Sequence, residues 1–119
     1  MIISAFIFGA EREHQLMQRN AIKTFLKTSA YKPKWITEPK GRERRDVDDR
    51  AELHRAARYA REHKAPFIVQ SLSGFFPRRW QALMWLKYQV DMHDMEILVT
   101  DDPTISKGSL HVLSAAADV

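Results

Sequence analysis

Residues Lys64–Arg79 constrain this chain more than any other stretch. Pro66 stops what precedes it, because its ring cannot sit in a continuing helix. Phe67–Leu72 then reads FIVQSL, a short run rich in residues that favour a buried strand. Gly74 and Pro77 break the run, and Arg78 and Arg79 follow where a helical pattern begins. In α/β proteins, a buried strand that hands over to a basic loop and a helix start is where anions bind.

The flanking sequence repeats this alternation of strand and helix. Ile2–Phe8 is nearly all apolar and reads as a buried first strand, ended by Gly9. Glu11–Thr28 carries Met17, Ala21, Ile22, Phe25 and Leu26 at helical spacing, which predicts an inward face made of those residues. Lys34–Thr37, between Pro33 and Pro39, is a short strand expected at a sheet edge, where proline is tolerated. Lys40–Asp49 is charged and aperiodic, a loop. Asp48 or Asp49 is expected to cap a helix running to about His63, with Leu53, Ala56, Ala57 and Ala60 inside and Arg55, Arg58 and Arg61 around them. Trp80–Val90 reads as a third helix, with Trp80, Leu83, Met84 and Val90 inward. Met95–Thr100 is a further strand, Asp101–Gly108 a polar loop, and Ser109–Ala117 a last helix through Leu110, Leu113 and Ala117.

Strands alternating with helices imply a three-layer α/β/α fold on a mainly parallel sheet of about four strands. Residues 1–119 are expected to form one domain, with no internal repeat. Right-handed crossovers bring three strand ends to one edge: Gly9–Arg12, Ser71–Arg79 and Thr100–Lys107.

Composition narrows the chemistry. A net charge of +4 is compatible with a nucleic-acid partner without requiring one. With no cysteine there is no disulfide, thiolate metal site or thiol nucleophile, which fits a reducing, cytoplasmic setting. Met1–Phe8 is too short and lacks the basic lead-in of a signal peptide, and no stretch reaches the roughly 20 apolar residues of a membrane span. His14, His54, His63, His93 and His111 show no paired zinc spacing, so no metal is expected. Gly9 and Gly74 belong to no phosphate-binding fingerprint, and no cofactor is expected.

At the strand-end edge, Arg78 and Arg79 are the candidate phosphate or DNA ligands, with Arg50 leaning in from the second helix. Two cations at a helix N-terminus oppose the macrodipole by roughly 0.3–1 kcal/mol each, a local conflict that an anion would relieve. The plain alternative is two exposed arginines. Ser71 and Ser73 are candidate nucleophiles, set against their ordinary role as turn residues. Asp101 and Asp102 read as turn caps before they read as a cation site. Phe75, Phe76 and Trp80 are expected to close the core beneath the loop rather than offer a stacking platform.

Taken together, the blocks resemble the catalytic domain of serine recombinases of the resolvase/invertase family. Ile97–Asp118, reading ILVTDDPTISKGSLHVLSAAAD, is similar to that family's final strand, loop and long-helix start. Asp49–Leu53 resembles its D-R-x-x-L, and Ala65–Val69 with Leu72 resembles the strand before its L-D-R-L-x-R. The family attacks a DNA phosphodiester with a serine in a Y-x-R-x-S motif, surrounded by arginines. Here Ala10 falls at the serine and Phe8 at the first arginine. Ser73 and Gly74 fall at the acid and arginine of the second motif, Pro77 falls at its later arginine, and Arg50 alone matches cleanly.

The resemblance therefore implies a resolvase-like domain associated with DNA recombination whose nucleophile is gone, ending before the family's DNA-binding module. DNA is the expected partner, as is a second copy joined through the last helix and its small-residue face Ala115–Ala117. Two other readings stand beside it. One is an active phosphoryl-transfer enzyme using Ser71 or Ser73 with Arg50, Arg78 and Arg79, and the other is a non-catalytic dimerisation or interaction module.

Overall fold

The computed structural model describes residues 1–9, 11–110 and 113. Strands β1 (Ile2–Ile7), β2 (Lys32–Thr37), β3 (Phe67–Val69) and β4 (Ile97–Val99) form one sheet in the order β2-β1-β3-β4. All three pairings are parallel, with Ala5 opposite both Trp35 and Ile68, and Ile68 opposite Leu98. Helices α1 (Arg12–Leu26), α2 (Ala51–His63) and α3 (Arg79–His93) connect them. The expected α/β fold on a four-stranded parallel sheet is the observed one, and β2 lies at the edge.

Strand pleating divides the interior in two. Ile3, Ala5 and Ile7 point to one face and pack with Ile68 under Ile22 and Leu26 of α1. Phe6 and Phe8 point to the other, where they meet Phe67, Val69, Ile97 and Val99 beneath α2 and α3. The alanine stripe of α2 lets that helix approach the sheet closely, and the buried Ser4 Oγ donates to the Ala56 carbonyl at 2.8 Å. Leu110 closes the same core.

Several expectations about facing are corrected. In α1 the buried residues are Gln18, Ile22 and Leu26, whereas Met17 and Phe25 are exposed. The register turns because the Gln18 amide clamps the end of β1, accepting from Phe8 N–H at 3.2 Å and donating to the Phe8 carbonyl. In α3, Ala82, Leu83, Leu86 and Gln89 face inward, while Trp80 and Met84 are exposed. Neither Asp48 nor Asp49 caps α2: both lie in the short turn Val47–Asp49, and Arg50 holds the cap position. Strand β2 begins two residues early and includes Pro33, which an edge permits. Of the last helix, Leu110 and Leu113 are described, whereas Ala115–Ala117 lie outside the described residues.

Candidate functional site

The strand ends meet at a cleft of about 320 Å³ lined by Phe8, Gly9, His14, Glu43, Arg44, Gly74, Phe76 and Pro77. Gly9 follows β1 at φ +110°, and Gly74 turns the loop after β3 at φ +75°. A Cβ at Gly9 would lie 2.6 Å from His14 Nδ1, so the glycine gives the imidazole its place. One carboxylate oxygen of Glu43 is buried there without a hydrogen-bond partner among the described residues.

The floor of this edge is aromatic. Phe75 stacks on Phe8 at 5.2 Å between ring centroids, and Phe76 meets Phe75 edge-on at 4.9 Å. The loop after β3 folds inward through these two rings, as the sequence led one to expect. Trp80 does not join them and stays on the surface.

Arg50 is fully buried within this layer. Its Nε and Nη2 donate to the two carboxylate oxygens of Glu38 at 2.9 and 2.7 Å, and Nη1 donates to the Phe75 carbonyl at 2.7 Å. Its guanidinium carbon lies 4.8 Å from the Phe76 ring centroid and 5.5 Å from that of Phe75. This bidentate pair ties the end of β2 to the start of α2 and holds the β3 loop from below. Arg50, expected from the sequence to lean toward a phosphate, is thus closed off from solvent. Glu38 was not singled out in the sequence. Its one signal is a lone acid directly after a strand and before Pro39.

Arg78 and Arg79 are exposed. The Arg78 backbone N–H is capped by Gln81 Oε1 at 2.9 Å, and Arg79 Nη2 lies 3.6 Å from Asp102 Oδ2. The Asp102 carboxyl is held below the ordinary aspartate range, first by the Thr104 hydroxyl, then by the Thr104 N–H and by Arg79. Asp101 accepts from Gln70 Nε2 at 2.6 Å. Both acids therefore serve turns. Ser71 Oγ accepts from Ser73 N–H at 3.0 Å, the geometry of a serine turn. Neither serine lines the strand-end cleft, nor do Arg50, Arg78 and Arg79. Ala10 lies outside the described residues.

No three His, Asp or Glu side chains cluster as a metal site would require, among the described residues. No helix there is long and apolar enough to cross a membrane.

With this geometry in view, the chain is similar to the N-terminal catalytic domain of TP901-1 integrase, with a TM-score of 0.74 and 13% identity over 99% of this chain and 95% of that one. No protein-family model matches the sequence, and no curated protein does. The likeness shows that the chain shares the fold of that integrase domain.

Proposed function

We propose that the chain is a serine-recombinase-like domain that associates with DNA but does not cleave it. The observation that carries this reading is the content of the strand-end edge. Where the family resemblance implies a serine among arginines, the sequence has Ala10 and Phe8, and the one motif arginine that matches, Arg50, is turned inward onto Glu38, with Arg44 on the cleft lining instead. Alanine offers no nucleophile, and a phosphoryl transition state needs positive charge that the stacked Phe8 and Phe75 rings do not supply. The domain would occupy a DNA-bound assembly without contributing a cut strand.

The test is incubation of the purified protein with supercoiled and linear DNA, followed by denaturing electrophoresis for a covalent protein–DNA adduct. None is expected, and Ala10→Ser is expected not to create one, because the motif arginines replaced by Phe8, Gly74 and Pro77 would still be missing. An adduct in the unaltered chain that disappears in Ser71→Ala or Ser73→Ala would overturn the reading in favour of an active phosphoryl-transfer enzyme. A salt-dependent titration with duplex DNA tests the association itself.

A second reading, as an interaction module, draws on one observation. Trp80, Met84, Tyr88 and Met92 recur every fourth residue along α3, and all are exposed. Such a ridge suits a homodimer contact. Sedimentation that shows a dimer indifferent to DNA and to high salt would favour it.

A further inference from the structure

The geometry points to a second site: a groove between α2 and α3 that takes a nucleotide, with its base inserted and its phosphate at the rim. The groove measures about 550 Å³, within the range of small-ligand sites, and shares no lining residue with the strand-end cleft. Arg58, Arg61, His54 and His93 surround it, and Ala57, Trp85, Tyr88 and Gln89 line it.

Two independent observations point to a ligand in this groove. First, Gln89 is only 6% exposed, yet its amide oxygen is buried without a hydrogen-bond partner among the described residues. A buried acceptor left unmade is costly, and native folds rarely keep one without a compensating partner. Second, no described carboxylate pairs with Arg58 or Arg61, whereas their neighbour Arg55 pairs with Glu52 at 3.0 Å. Arg61 Nη1 lies 3.4 Å from His93 Nε2, and His54 Nε2 lies 2.7 Å from the Val47 carbonyl, so both imidazoles are already tied to the rim. Asp48 is the one acid on the groove wall.

These groups ask for complementary chemistry in a single ligand. Guanidinium forks bind phosphate oxygens. Tyr88, which is 54% exposed, offers a ring face on which a base can stack. A glutamine amide pairs with a base edge that presents an amino donor beside a ring acceptor, as adenine does. The inserted base must come from a single strand or a free nucleotide, since a duplex holds its bases out of reach of a buried amide. The inference deepens the DNA-associated reading: it rests on that reading for a strand as the source, but not for a free nucleotide.

Calorimetric titration at low salt tests it, with a deoxyadenosine decamer, a thymidine decamer, dAMP and inorganic phosphate as probes. The adenine decamer is expected to bind tightest, and inorganic phosphate weakest. Arg58→Ala with Arg61→Ala is expected to weaken the decamer at least about tenfold and to flatten its salt dependence. Gln89→Met is expected to erase the preference for adenine over thymidine without lowering the melting temperature. A decamer bound equally by wild type and by all these variants overturns the groove and leaves the DNA reading standing. Duplex binding without decamer or dAMP binding does the same. Binding of dAMP that Gln89→Met abolishes, with no binding of any DNA, upholds the groove with a free nucleotide and sinks the DNA reading.

Discussion

Helix α2 carries arginine into two opposite settings. At its start, Arg50 is fully buried, doubly bonded to Glu38 and enclosed by Phe75 and Phe76. Further along the same helix, Arg58 and Arg61 are exposed over a groove lined by Gln89, whose amide oxygen has no partner among the described residues. Charge and residue type are the same, so neither decides the role. What decides it is whether the guanidinium's hydrogen-bonding capacity is spent inside the protein. Arg50 spends its capacity holding β2, α2 and the β3 loop together. Arg58 and Arg61 have no described carboxylate partner, and Arg61 shares one N–H with His93. A buried ion pair is a poor source of net stability but a strong constraint on geometry, because either partner left alone is a desolvated charge.

The largest effect should come from breaking the buried setting. Glu38→Ala leaves Arg50 charged, enclosed and without its carboxylate, and should cost about 3–5 kcal/mol in denaturant unfolding. Replacing both partners by apolar residues, Glu38→Leu with Arg50→Met, should cost far less than the single change. If the double variant is as unstable as Glu38→Ala, the pair is not the determinant, and the contrast with Arg58 and Arg61 loses its energetic half.

Gly9→Ala should come next. The position sits at φ +110°, and the new methyl group would meet His14 Nδ1, so a loss of about 1–3 kcal/mol is expected. Trimming the imidazole with His14→Ala should recover the steric part but not the backbone part. Gln89→Met works in the opposite direction. Removing the unpartnered oxygen should stabilise the free protein by about 1 kcal/mol, read from the shift in unfolding midpoint. A destabilised Gln89→Met would mean that the amide is satisfied in solution, and the groove would lose its clearest mark.

Most of the fold could be read from the chain because it rests on local, repeated signals. Apolar runs bounded by Pro and Gly mark the strands, and the alanine stripe of α2 marks its buried face. The edge placement of β2 followed from Pro33 and Pro39. The errors have physical causes. Helical spacing in α1 offered two adjacent apolar stripes, and the choice between them was made by Gln18 reaching the backbone of Phe8, a contact between residues far apart in spacing terms. In α3 the apolar residues occupy nearly the whole circumference, so periodicity could not tell Trp80 and Met84 from Leu83 and Leu86. The site was harder still. Arg50 was recognisable as a motif residue, but its burial depends on Glu38 and Phe75, which only the tertiary fold brings to it. Gln89 carries no local signal, because what distinguishes it is a partner that is missing.

The smallest effect separates the exposed arginines from one another. Arg79, unlike Arg58 and Arg61, faces a carboxylate, Asp102, whose pKa lies below its ordinary value of 3.8. A depressed carboxyl stabilises the fold above its unfolded pKa, and that contribution is lost as pH falls through the lower folded value. Asp102→Asn should therefore lower the unfolding midpoint slightly near neutral pH, and the gap from wild type should close as pH falls through the lowered folded value. The Thr104 hydroxyl is the largest cause of the shift and Arg79 a lesser one. Thr104→Val should consequently shrink the gap more than Arg79→Ala does, and added salt, which screens an exposed pair, should remove only the smaller share. A gap that vanishes in Arg79→Ala but survives in Thr104→Val would make Arg79 a committed partner of Asp102. It would then belong with Arg50, as a residue spent on the fold, rather than with the open arginines of α2.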